Sequence, residues 1–211
     1  MTINILTCRG LLTAEQLRAA AEASERFGAG NAQMDSQGSL KIPDVPEAKA
    51  EACREFLAAH GLVTGGMGRH IRPVSACSGT ACRHGMIDTD DLAREIHERF
   101  VLGWREVTLP AKLKIGVGGC PNNCAMPNLC DIGIVGAQGG YRLLLGGRGG
   151  RALAEGKPVE HIFATKDELL GAVERLLKLY LDRGQEKERF GSMLERLGFE
   201  TVCREAAGPD I

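Results

Sequence analysis

Neither sign of charge prevails in this chain. Its 26 lysines and arginines meet 27 aspartates and glutamates, a formal net charge of −1. The broad basic field that drives non-specific nucleic-acid binding is missing, so no nucleic-acid partner is expected. No apolar run approaches the ~20 residues that a membrane-spanning helix needs, so no membrane partner is expected either. The opening MTINILTCRG carries no basic segment followed by an apolar one. No secretory signal is therefore read, and a cytoplasmic protein is expected. No internal repeat is visible. What remains is an ordinary globular composition, 44% hydrophobic and 25% charged, over 211 residues. That length buries a core without disulfide staples and suits one domain or two small ones.

Two abundances stand against these absences: 28 glycines and 8 cysteines. The glycines imply tight turns and close backbone approaches. The cysteines are unevenly spread: five fall between Cys77 and Cys130. Cys77 and Cys82 enclose SGTA, Cys120 and Cys124 enclose PNN, and Cys130 follows. A secreted disulfide framework fits poorly without a signal segment. Short loops of this kind turn two thiolates toward one centre, which is a metal-ligand pattern. Structural zinc sites favour two-residue spacers, which neither pair has. An iron–sulfur cluster also takes four thiolates and tolerates other spacings, so it is preferred to zinc. Burial as plain apolar side chains suits Cys53, inside EAKAEACREFLAAH, and Cys203. It suits the two pairs badly, because Gly, Pro, Asn and Ser surround them.

Periodicity predicts a short strand in residues 1–10 and a helix capped by Thr13, with Leu17, Ala20, Ala21, Ser24 and Phe27 on one face. A strand at 39–42 and a helix at 46–60 follow. This β-α-β-α order is that of half a ferredoxin-like sandwich. Beyond a glycine-rich crossing, the pattern predicts a helix over 88–100 and a strand over 112–119. A hairpin of 131–136 with 141–145 follows, then helices at 166–182 and 186–197. The expected class is α+β: a ferredoxin-like half-domain over 1–68, then an α/β domain over 69–211. The GGRGGR loop follows a strand but has no acidic residue at the distance a dinucleotide site requires.

The motifs ACSGTAC (76–82), GCPNNCA (119–125), DIGIVG (131–136) and YRLLLGGRGGR (141–151) resemble those of the siroheme and 4Fe-4S sulfite and nitrite reductases. The match extends to the ERF and RLGFE segments of the tail and to the N-terminal helices. The chain looks like a single-module member of that family. The resemblance implies that Cys77, Cys82, Cys120 and Cys124 hold a 4Fe-4S cluster, and that Cys124 also bridges to a siroheme iron. It implies a six-electron reduction of sulfite to sulfide, with nitrite as the alternative small anionic substrate. A cluster-bearing electron-transfer protein without siroheme is the alternative from a different class. Electrons would come singly from an external donor such as a ferredoxin. A homodimer is expected, because larger relatives carry two such modules in one chain.

A polycarboxylate cofactor and an anionic substrate both demand clustered cations. Arg69, His70, Arg72, Arg83 and His84 flank the first cysteine pair, Lys112 and Lys114 precede the second, and Arg142, Arg148 and Arg151 follow it. By resemblance, Lys112 and Lys114 after Leu109-Pro110, with Arg9 and Arg72, face the substrate. Arg69, Arg83, Asn122, Arg142 and Arg148 are expected around the siroheme. Read from residues alone, Lys112 and Lys114 alternate along a strand and share one face, which a solvated surface also explains. The chain departs from the family pattern in three ways. Its first cysteine loop is one residue shorter, Cys130 is an extra thiol, and Ser36 stands where an anchoring arginine is expected.

Overall fold

The structure, a computed structural model, describes residues 1–35 and 38–208. Ser36 therefore lies outside the described residues. The chain divides into two compact units, Met1–Met67 and Gly68–Ile211.

The first unit begins with strand β1 (Ile3–Ile5), helix α1 (Ala14–Phe27), β2 (Gln33–Met34) and β3 (Leu40–Ile42). The sheet order is β1-β3-β2, and both pairings are antiparallel. Thr13 starts α1 with a reciprocal cap. Its hydroxyl accepts from Gln16 N at 3.1 Å, and Gln16 Oε1 accepts from Thr13 N at 3.0 Å. The buried side of α1 is Ala19, Ala20, Ala23 and Ser24, while Leu17 is 51% exposed. The predicted face was thus rotated: the helix lies on the sheet through its small residues, which allow the closest backbone approach. Helix α2 (Ala50–Ala59) follows a single 3₁₀ turn at Glu47–Lys49. It buries Ala50, Cys53 and Leu57 in the same core as Ile3, Ile5 and Ile42.

The second unit is built on a five-stranded sheet of order β4-β5-β6-β7-β8. Its strands are β4 (Ser75–Ala76), β5 (Ile115–Gly118), β6 (Ile132–Ala137), β7 (Gly140–Leu145) and β8 (Lys157–Phe163). The first three are parallel, and β6-β7-β8 is an antiparallel meander. Helix α3 (Thr89–Ile96) is capped by Asp88, whose carboxylate accepts from Asp90 N and Asp91 N at 3.0 Å each. It continues as a wider π-type turn at His97–Leu102. Helix α4 (Lys166–Arg183) buries Leu169, Val173, Leu176, Leu177 and Tyr180. Helices α5 (Phe190–Leu197) and α6 (Phe199–Ala207) close the chain.

Three expectations needed adjustment here. The strand expected over 112–119 is only Ile115–Gly118; Leu113 makes one isolated bridge to Ile71. Strand β8 was not foreseen, because KPVEHIF mixes a proline and charges into its alternation. The last predicted helix begins four residues later, and α6 was missed beyond Gly198, whose φ of 89° breaks the helical run. Among the described residues, no helix is long and apolar enough to cross a membrane.

Candidate functional site

The two cysteine loops leave the same ends of neighbouring strands. Parallel β4 delivers Cys77, and parallel β5 delivers Cys120. Backbone bonds stitch the loops together: Met86 N donates to Gly119 O at 2.8 Å, and Cys77 N to Val117 O at 3.1 Å. Gly119 N donates to Cys77 Sγ at 3.0 Å, so a backbone dipole of the second loop points at a thiol of the first. Thr89, at the start of α3, holds the Cys77 carbonyl at 2.8 Å. The contact leaves little room for a side chain. A Cβ on Gly119 would lie 3.1 Å from Gly79 Cα and 3.4 Å from Cys77 Sγ.

The second loop is locally strained. Asn123 (φ 60°) and Met126 (φ 51°) both occupy the left-handed region that non-glycine residues avoid. Paired amides hold the shape: Asn123 Nδ2 donates to Asn128 Oδ1 at 2.6 Å, and Asn128 N donates to Asn123 Oδ1 at 3.3 Å. Strain held this firmly is typical of ligand-presenting loops. Cys77 and Cys120 are half-buried, and Cys82 and Cys124 are exposed; all are free thiols.

Cys130 differs in kind. It is buried against Gly116 and Ser75, and burial pushes its thiol up to about 11. Among the described residues, no three His, Cys, Asp or Glu side chains are grouped to hold a metal ion. A four-iron cluster spreads its thiolates over separate irons, so it makes a different demand from a single ion. Four thiols on two stitched loops, with an N–H aimed at one sulfur, fit that donor chemistry.

A cavity of about 520 Å³ opens beside the second loop, lined by Met86, Pro121, Asn123, Gly136, Arg142 and Leu144 among others. Its mainly apolar walls, with the amides of Asn123, Asn128 and Gln138 and the one guanidinium of Arg142, suit part of a large ring that bears carboxylates. Asn122 is exposed at the tip of the same loop. The other expected cofactor residues have local partners. Arg69 Nε donates to Leu109 O at 2.7 Å, and its Nη1 reaches Glu186 at 3.3 Å. Arg83 Nε donates to His84 Nε2 at 3.0 Å, and Arg148 Nε donates to Ala152 O at 3.0 Å.

The expected substrate-facing cations fall in two places. Arg9 belongs to the first unit, where it sits in the left-handed region (φ 56°) before Gly10. Arg72, Lys112 and Lys114 belong to the second and share one electrostatic environment. Arg72 N donates to Leu113 O at 2.9 Å, between the two lysines. Lys112 is held below the ordinary lysine value. Partial desolvation comes first, followed by the positive charges of Arg189, Lys114 and Arg72, with Asp131 opposing them. The proton on Lys112 is thus more easily released than on an isolated lysine.

Arg189 and Asp131 were not singled out from the sequence as site residues. Asp131 is fully buried at the head of β6, and Arg189 Nη2 lies 2.8 Å from both of its carboxylate oxygens. The signal was present: a lone carboxylate opening the apolar strand DIGIVG must find a cation when buried.

The chain matches two family models. The nitrite and sulphite reductase 4Fe-4S domain covers residues 67–209, and the nitrite/sulfite reductase ferredoxin-like half domain covers 1–60. An assimilatory-type sulfite reductase of Nitratidesulfovibrio vulgaris is 28% identical over 197 residues, which are 80% of this chain and 88% of that protein. A nitrite reductase [NAD(P)H] of Bacillus subtilis is 33% identical over 136 residues, 64% of this chain but 16% of the relative. Among solved structures, dissimilatory sulfite reductase I superposes with a TM-score of 0.85 at 15% identity, over 100% of this chain and 69% of that one. The Mycobacterium tuberculosis NirA protein gives 0.73 at 24% identity, over 96% of this chain and 39% of that one.

Proposed function

This chain belongs to the nitrite and sulphite reductase family, and from that premise we propose that it is a single-module sulfite reductase acting in the cytoplasm. The observation that carries sulfite over nitrite is one of extent. The chain spans 88% of an assimilatory-type sulfite reductase, but only 16% of the Bacillus nitrite reductase. The proposed cluster ligands are Cys77, Cys82, Cys120 and Cys124. Siroheme is proposed beside Cys124, with Arg69, Arg83, Asn122, Arg142 and Arg148 around it; the cavity at Pro121 and Arg142 supports this. When bound, the two groups supply single-electron relay and an iron that binds the substrate's sulfur.

The chain's own residues supply charge and protons. Arg72, Lys112 and Lys114 offset the charge of a bound dianion, and S–O cleavage is eased where departing oxide is met by a positive, proton-bearing group. Lys112 suits that role because partial desolvation, and then its cationic neighbours, make it a readier proton donor. Arg9 is assigned to the same task on its LTCRG context. An external one-electron donor of the ferredoxin type completes the cycle.

The experiment is turnover of the anaerobically purified protein with a reduced one-electron dye, comparing sulfite with nitrite. A kcat/KM for sulfite at least tenfold above that for nitrite supports the reading. The reverse preference replaces it with nitrite reduction.

A further inference from the structure

The segment that carries Lys112 and Lys114 is bonded to residues 70–72, to Ile132 and to the turn that leads into α5. Lys187 N donates to Pro110 O at 2.8 Å. Tyr180 Oη accepts from Ala111 N at 3.1 Å and donates to Glu188 O at 2.5 Å, so one hydroxyl joins the residue before Lys112 to the residue before Arg189. Asp131 Oδ2 accepts from Lys114 N at 2.9 Å while its carboxylate holds Arg189. Three of the segment's contacts lead to the 187–189 turn, directly or through Tyr180 or Asp131; Leu113 also bonds to His70 O and Arg72 N, and Lys114 O accepts from Ile132 N. Arg189 Nε is buried with no hydrogen-bond partner among the described residues, so Asp131 anchors the guanidinium through Nη2.

We propose that Arg189 is a positioning residue of the anion site: locked by Asp131, it fixes the Lys112–Lys114 segment and adds its positive field to that face. The inference rests on the reading of Lys112 and Lys114 as anion-binding. Arg189 does not touch the anion; it acts through the two lysines. The charged groups that act on Lys112 are Arg189, Lys114, Arg72 and Asp131, and Arg189 has the largest effect among them.

The test uses the purified holoprotein with inorganic phosphate as a non-reducible oxyanion. Competitive acetylation of Lys112 and Lys114, read by mass spectrometry across pH, gives both the Lys112 titration and its protection by phosphate. In Asp131→Asn/Arg189→Gln the net positive influence is removed and the grip is loosened. Lys112 should titrate at higher pH, and half-protection should need about tenfold more phosphate. Arg189→Gln alone removes the positive neighbour with the largest effect on Lys112, so Lys112 should titrate higher than in the wild type. This second variant decides the matter if the double variant fails to fold. A role confined to packing would leave the Lys112 titration where it was, and that result in Arg189→Gln overturns the proposal. Absence of phosphate protection in the wild type overturns the anion-site reading and this proposal together. Wild-type protection that persists unchanged in a folded double variant overturns this proposal alone.

Discussion

Cys120 and Cys130 lie in one loop but in opposite chemical settings. Cys120 stands on the half-buried rim where two loops are stitched, whereas Cys130 is sealed under the sheet. Cys120→Ser should abolish the protein's iron, while Cys130→Ser, Cys53→Ser and Cys203→Ser should leave it in place; iron analysis of anaerobically purified variants decides. Burial of Cys130 also has a pH signature. Its folded pKa of about 11 lies above the ordinary 9.0, so the folded state keeps a proton that the unfolded state loses. That contribution to stability is complete below pH 9 and falls as pH rises toward 11. Urea midpoints across that window should decline less steeply in Cys130→Ala than in the wild type. At the same scale, Lys112→Ala and Lys114→Ala should each lower turnover by about tenfold or more with iron and siroheme retained. Equal activity would return both residues to a solvated face. That the thiols pair up on two short loops was legible in the sequence because their spacing is local. The Asp131–Arg189 lock was not, because its partners are 58 positions apart and meet only once β6 and α5 are placed.

Strand β6 shows why an element can be glycine-rich and still rigid. A Cβ on Gly133 would lie 2.3 Å from Pro127 O, and one on Gly136 would lie 2.3 Å from Gly119 O. The cysteine loop therefore rests its backbone directly on the strand. Gly136→Ala should push Gly119 away and misplace the N–H that points at Cys77, lowering iron occupancy even where the fold survives. Normal iron content in a folded Gly136→Ala would refute that dependence. Periodicity revealed β1, α1, the β6–β7 hairpin and α4, each of which has a clean pattern or a cap. Thr13 and Gln16 announced the start of α1, and Thr13→Ala should cost about 1 kcal/mol in chemical denaturation. Strand β8 and helix α6 were hidden for physical reasons. The first pairs only with β7, across an irregular register near Arg142 and Leu144, so its pattern is loose. The second is separated from α5 by a single glycine.

For the whole molecule we propose a homodimer. The chain carries one module, and β2 stands at an edge of its three-stranded sheet, a site where a second chain can pair. Each siroheme would then see Cys124 from one chain and Lys112 and Lys114 from the other. Mixing Cys124→Ser chains with Lys114→Ala chains should restore part of the activity that each lacks alone. A fully active species near 22.6 kDa by light scattering would refute the dimer. The central claim is that these two loops carry a cluster coupled to siroheme, and the absorption spectrum of the anaerobically purified protein tests it most directly. The account predicts a red-region siroheme band together with cluster absorption, both lost in Cys120→Ser. Cluster absorption without the red band would contradict it and leave a non-catalytic electron carrier in its place.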